Sequence, residues 1–300
     1  MSRIRIGLIG LDTSHCVAFT KLLHDEEQEF HVPGAVVTAA YPGGSPDFPL
    51  CISRVEGFTA QVRDGFGVQI MDTPEGVAEQ CDALMLLSGD GRTHLELLRR
   101  IAPYGNPVFI DKPLTISSAE AEEVRRTAEQ YCIPVMSASS LRYALSLTRE
   151  LEQQVEVPVI GADVYGPMEV QSTQSHYFWY GIHAAEMLFT IMGPGCLEVY
   201  AASTKDHELI TGIWQDGRIG TVRGNRSGND GFGAMIHRKG ATAYVDVQSS
   251  GKPFYADLLE RVMLMFRTGN PSLPLAHSIE VIRFLEAAEE SRDKGNPISL

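Results

Sequence analysis

The chain has no apolar run approaching the roughly 18 residues of a membrane helix, no C-x-x-C pair and no long Lys/Arg block. The first absence excludes a membrane-spanning helix, and the apolar run after the basic start MSRIRIGLIG already stops at Asp12, which does not suit a signal peptide. Cysteines are few and odd in number. Cys16, Cys51, Cys81, Cys132 and Cys196 are scattered, as expected for reduced core thiols of a cytoplasmic protein. Basic residues are outnumbered, 25 against 38 acidic, for a net charge of −13, and this argues against a nucleic-acid partner.

What is present reads as globular. Hydrophobic residues make up 44% and charged residues 21% of 300, enough for two domains, divided here as 1–138 and 139–300. The first part alternates apolar strands (Arg3 to Gly10, Ala35 to Ala40, Ala83 to Leu87, Pro107 to Ile110, Ile133 to Ala138) with helical patterns. Those helices run from Ser14 to His24, from Pro74 to Cys81, from Arg92 to Ile101 and from about Ser118. Repeated strand-helix-strand units predict a parallel sheet covered on both faces. In the second part Ile160 to Tyr165 is strand-like and Gly181 to Met192 is a helix stopped by Gly193. Tight turns at Asp216-Gly217 and Lys239-Gly240 then join consecutive strands, and two helices, Tyr255 to Arg267 and His277 to Lys294, close the chain. The fold class is thus α/β: a Rossmann-like parallel sheet followed by an α+β domain with a mostly antiparallel open sheet.

A strand that turns sharply into a helix N-terminus makes an anion site, because backbone N–H groups and the helix dipole face the ligand. The first turn reads Gly10-Leu11-Asp12-Thr13-Ser14-His15, where a dinucleotide fingerprint has Gly-x-Gly-x-x-Gly. Only Gly10 matches. A carboxylate at Asp12, about 5 Å from a phosphate, costs on the order of 1–3 kcal/mol, and Asp12-Thr13-Ser14 also reads as a plain helix cap. The second strand ends Ala40-Tyr41-Pro42-Gly43-Gly44, with neither an acid nor an arginine beside it to choose between NAD and NADP.

Four segments follow in fixed order: Ser88-Gly89-Asp90-Gly91-Arg92-Thr93-His94, Asp111-Lys112-Pro113-Leu114, Leu141-Arg142-Tyr143 and Trp179-Tyr180-Gly181-Ile182-His183-Ala184-Ala185-Glu186. The chain resembles, over essentially its whole length, the glucose-fructose oxidoreductase / inositol dehydrogenase / rhizopine-catabolism (Gfo/Idh/MocA) family. Asp-Lys-Pro-Leu is similar to the family's Glu-Lys-Pro, and Gly-Ile-His-x-x-Glu to its Gly-x-His-x-x-Asp. The resemblance implies NAD or NADP bound near Gly10, Asp12, Thr13, Ser14, His15, Tyr41, Ser88, Gly89, His94, Asp111 and Lys112. It implies that Lys112 contacts both the nicotinamide ribose and the substrate hydroxyl, and that His183 is the general base.

The family's aspartate four residues before that histidine is Trp179 here, leaving Glu186 or His176 to take its place; a structural role stays open for both. Arg142, His176, Trp179, Tyr180 and Glu186 are the expected substrate contacts. The implied activity is hydride transfer to or from a secondary alcohol of a sugar, cyclitol or sugar acid, in a homo-oligomer paired as dimer or tetramer through the outer face of the C-terminal sheet. A rival reading is a cofactor- or ligand-binding regulator of the same fold, which the altered Asp12 and His15 favour. A third, a metal site from His183 and Glu186 with His176 or Asp12, rests on common spacing, and no metal is expected.

Overall fold

A computed structural model describes residues 3–300. The chain divides into two compact units, one comprising residues up to Ala138 with Tyr255–Ser278, the other Ser139–Phe254 with Ile279–Leu300. The sequence division placed all of 139–300 in the second domain; Tyr255–Ser278 groups with the first instead. The reason is local packing, since the Tyr255 ring stands edge-on to those of His15 and Phe19 and Ser278 Oγ donates to the Ser137 carbonyl at 2.8 Å.

In the first unit the elements alternate as β1 (Ile4–Ile9), α1 (His15–His24), β2 (Ala35–Tyr41), α2 (Pro49–Phe66), β3 (Gln69–Ile70), α3 (Pro74–Gln80), β4 (Ala83–Leu86), α4 (His94–Ile101), β5 (Val108–Asp111), α5 (Ser118–Gln130) and β6 (Val135–Ala138). The strands form a parallel sheet in the order β3-β2-β1-β4-β5-β6, whose order reverses between β1 and β4. Ile6, Leu8 and Ile9 of β1, Leu84 to Leu86 of β4 and Val108 to Ile110 of β5 are sealed from solvent. Strands covered on both faces have no wet side to alternate toward, which is why they read as unbroken apolar runs. Thr73 caps α3 by accepting the Gly76 N–H at 3.1 Å, with Pro74 at the first helical position.

The second unit contains α6 (Leu145–Gln153), β7 (Val159–Pro167), α7 (Gly181–Met192), β8 (Cys196–Ser203), β9 (His207–Trp214), β10 (Ile219–Asn225), β11 (Gly233–Arg238) and β12 (Ala241–Asp246). Next come α8 (Phe254–Thr268), nearly all of it in the first unit, then α9 (Leu275–Lys294) and β13 (Ile298–Ser299). The sheet order is β12-β11-β7-β10-β9-β8-β13, and among the pairs between its strands only β7 with β10 is parallel. Helix α7 covers the inner face: a Cβ on Gly220 of β10 would lie 2.9 Å from Leu188 of that helix. Among the described residues no helix is long and apolar enough to cross a membrane.

Candidate active site

The reversal of strand order between β1 and β4 opens a crevice at the strands' C-terminal ends, where open α/β sheets bind ligands. Gly10 leaves β1 at φ +93°, and a Cβ there would sit 2.5 Å from the Ser88 backbone nitrogen. There is no room for a side chain between Gly10 and Ser88, so the single glycine that matches the fingerprint is the one the close approach requires. Gly10, Tyr41, Gly43, Gly44, Ser88 and Thr93 line a cavity of about 150 Å³. Arg100, which the sequence did not single out, also borders it, its guanidinium held bidentate by Glu75 at 2.6 and 2.8 Å.

Asp12 is turned inward. Its carboxylate accepts the Gly89 N–H at 2.8 Å and lies 3.4 Å from the Ser88 hydroxyl, and it is 1% exposed. Burial pushes its pKa up, against the pull of Gly89, His94 and Ser88. Thr13 accepts the His15 N–H at 2.9 Å, while Ser14, at the helix N-cap, makes no side-chain cap. His15 fills the third glycine position, with its Nδ1 2.5 Å from Asp111 at the end of β5. Burial of Asp111 would raise its pKa, but the charges of His15 and Lys112 and their hydrogen bonds outweigh this and hold the carboxyl at about 2.

Lys112 follows directly. It is 8% exposed, its backbone N–H donates to Asp111 at 2.9 Å, and it joins Pro113 through a cis peptide bond. His94 is fully buried and ties the neighbouring loops together: Nε2 meets the Ser88 carbonyl at 2.8 Å and Nδ1 the Pro113 carbonyl at 2.9 Å. The first unit thus gathers Gly10, Asp12, His15, Ser88, Gly89, His94, Asp111 and Lys112 around one set of loops. The Asp12 carboxylate is directed at β4-loop donors rather than presented as an open oxyanion.

In the second unit His183 lies in the first turn of α7, its Nδ1 2.7 Å from Ser139 Oγ and its ring edge-on to Tyr180 and Phe232. Neither expected partner reaches it. Glu186, one turn on, forms a buried ion pair with Arg142 instead, and His176 Nε2 lies 3.1 Å from Glu208. Glu208 also accepts from Tyr177, Ser203 and Arg226; burial would raise its pKa, but these partners and His176 hold it at about 2. Trp179, four residues before His183, is buried at 9% exposure. Ser139 was missed because its only sequence signal is its place just after a buried strand. Among the described residues no three His, Cys, Asp or Glu side chains gather to hold a metal ion.

Residues 4–138 match the profile of the glucose-fructose oxidoreductase / inositol dehydrogenase / rhizopine-catabolism family, described as an oxidoreductase family with an NAD-binding Rossmann fold. Over the whole chain the fold is similar to a probable dehydrogenase from Thermotoga maritima, 16% identical with a TM-score of 0.80 and 99% of each chain covered. It is similar also to GenD2 of gentamicin A biosynthesis in complex with NAD (15% identity, TM-score 0.80, covering 100% of this chain and 97% of that one). A third is scyllo-inositol dehydrogenase from Lactobacillus casei with NAD(H) and scyllo-inositol (12% identity, TM-score 0.79, 99% of each chain). No curated protein matches the sequence.

Proposed function

We propose that the chain is an NAD(P)-dependent oxidoreductase that moves hydride between a nicotinamide cofactor and a secondary alcohol carbon of a sugar, cyclitol or sugar acid. The observation that carries this reading is Lys112, a buried lysine at the C-terminal edge of β5 beside an ionised, buried Asp111. Burial of a lysine is costly, and a crevice at the switch point is where such a charge finds use. Gly10, Thr13, Ser14, His15, Tyr41, Ser88 and Gly89 would hold the dinucleotide, braced by His94 and Asp111. When bound, that cofactor supplies the hydride acceptor or donor.

Lys112 stabilises negative charge that grows on the substrate oxygen in the transition state, an interaction weaker in the ground state. His183 takes the hydroxyl proton as hydride leaves on oxidation and returns it on reduction; Tyr180 and Trp179 shape the pocket, and Arg142, Glu186 and His176 support it. The related structures with NAD and with an inositol favour this substrate class. We further propose a homo-oligomer that pairs through the outer face of the second sheet, where Tyr200, Leu209, Ile213, Ile219, Met235 and Tyr244 are exposed.

The test is NADH or NADPH formation, read by absorbance, across a panel of polyols and sugar acids. With an oxidised substrate in hand, Lys112→Met lowers turnover roughly 10²–10³-fold, while Lys294→Met in α9 leaves it unchanged. A Lys112→Met enzyme keeping more than about a tenth of its turnover overturns the role given to Lys112. Asp12 in the second glycine position favours the other reading, a regulator without redox activity. Binding of neither NAD nor NADP at millimolar concentration would establish that one instead.

A further inference from the structure

The choice between NAD and NADP falls on the adenosine ribose, whose 2′ position carries a hydroxyl in one and a phosphate in the other. An acid at the end of β2 ordinarily takes the hydroxyl and a nearby arginine the phosphate. Here β2 ends in Tyr41 with neither. The cavity bordered by Tyr41, Gly43 and Gly44 is completed instead from α4, by Glu96, Leu97 and Arg100. Among the described residues Arg100 is the one cation lining it; Arg54 of α2 is exposed and lies outside the lining.

The charge of Arg100 is already matched. Its Nε and Nη2 donate to the two carboxylate oxygens of Glu75 in α3 at 2.6 and 2.8 Å, a charge-assisted fork. Glu96, one turn before Arg100 on α4, stays out of that pair: its side chain is exposed and accepts no hydrogen bond among the described residues. Arg92, at the start of the same segment, is matched in the same way between Asp47 and Asp90. A ligand entering this cavity therefore meets a neutral ion pair and one unpaired carboxylate. A ribose hydroxyl donates to a carboxylate and brings no charge. A 2′-phosphate carries about −1.5 to −2 near neutral pH, is repelled by Glu96, and reaches Arg100 only beside Glu75 or in its place.

We propose that this cavity selects NAD over NADP, with Glu96 as the acceptor for the 2′-hydroxyl and Glu75 as the residue that withholds Arg100 from a 2′-phosphate. The inference rests on the proposed function only for the statement that a dinucleotide lies across this crevice. The discriminating acid then comes from α4, which is why the end of β2 carries no sign of the choice.

The experiment is calorimetric titration of the full chain with NAD and with NADP, in the wild type, Glu75→Gln and Glu96→Gln. Expected in the wild type is NAD bound at least about tenfold more tightly than NADP, by a ratio that falls as added salt screens the repulsion. Glu75→Gln keeps the side chain's size while releasing the Arg100 charge, and tightens NADP by about tenfold with NAD within about threefold of the wild type. Glu96→Gln lowers the ratio from both sides, weakening NAD and relieving NADP. Should Glu75→Gln fail to fold, Glu96→Gln, at an exposed position, still decides. NADP bound as tightly as NAD in the wild type overturns the proposal, as does a ratio unchanged in both variants. Binding of neither nucleotide overturns the redox reading together with this proposal, whereas binding of both without preference overturns the proposal alone.

Discussion

Glu208 shows how a single residue that looks catalytic in composition is structural in place. It is buried on β9 and accepts from His176, Tyr177, Ser203 and Arg226, which together keep it ionised down to about 2. An unfolded glutamate titrates near 4.3, so the folded state binds its proton later than the unfolded one. Stability from this group is complete above about pH 4.3 and is lost as pH falls toward about 2. At roughly 1.4 kcal/mol per unit, the linkage amounts to about 3 kcal/mol. Glu208→Gln should therefore unfold more easily by about that amount near pH 7, measured in urea, with the gap to wild type closing between pH 4 and 2. A gap that stays constant with pH would mean that shape, not charge, is what the variant loses. Sequence alone attached His176 to the reaction centre because it is near His183 in the chain; Glu208, thirty-two positions on, is the residue it meets.

At the scale of elements, the apolar strands of the first unit were legible because burial on both faces leaves an unbroken signature. Helix α2 was not. Of its 18 residues only Cys51 and Val62 are buried, so its apolar periodicity is faint, and Gly57 and Gly65 weaken its helical preference. It is defined by its ends: Pro49 at the first position and Gly67 in the left-handed region at φ 71°. The β1 loop carries a sharper constraint. A methyl on Gly10 would meet Ser88 backbone at 2.5 and 2.7 Å while forcing an L-residue to φ +93°. Gly10→Ala should cost about 1–3 kcal/mol from the conformation alone and should weaken nucleotide binding as the β4 loop is displaced, measured by urea unfolding and by titration with NAD and NADP. A Gly10→Ala protein with unchanged stability would show that the two loops separate freely.

For the whole molecule, the second sheet leaves one face without a covering helix, and its apolar residues alternate outward along β8, β9, β10, β11 and β12. Tyr244 is 64% and Ile219 52% exposed, more than an isolated surface position explains when four others share the face. Static light scattering should give a dimer or tetramer across the micromolar range, and Ile213→Lys with Ile219→Lys should shift it to monomer. A wild-type protein that scatters as a monomer throughout that range refutes the assembly.

Periodicity and turn chemistry determined most of the strand and helix alternation, with α2, β3, α6 and β13 left out, together with the parallel first sheet and both hairpin turns, since these depend on contacts close in the chain or on burial averaged over a face. The Lys112 and His183 segments were likewise legible, as short motifs placed at a strand end and a helix start. Partnership was decided only in three dimensions. Asp12 turns toward Gly89, His15 toward Asp111, Glu186 toward Arg142 and His183 toward Ser139, pairs separated by 44 to 96 positions. A side chain's hydrogen-bonding choice depends on which loops the sheet order brings together, and no local pattern encodes that. The return of Tyr255–Ser278 to the first unit belongs to the same class, because a helix reads alike in sequence whichever core its apolar face joins.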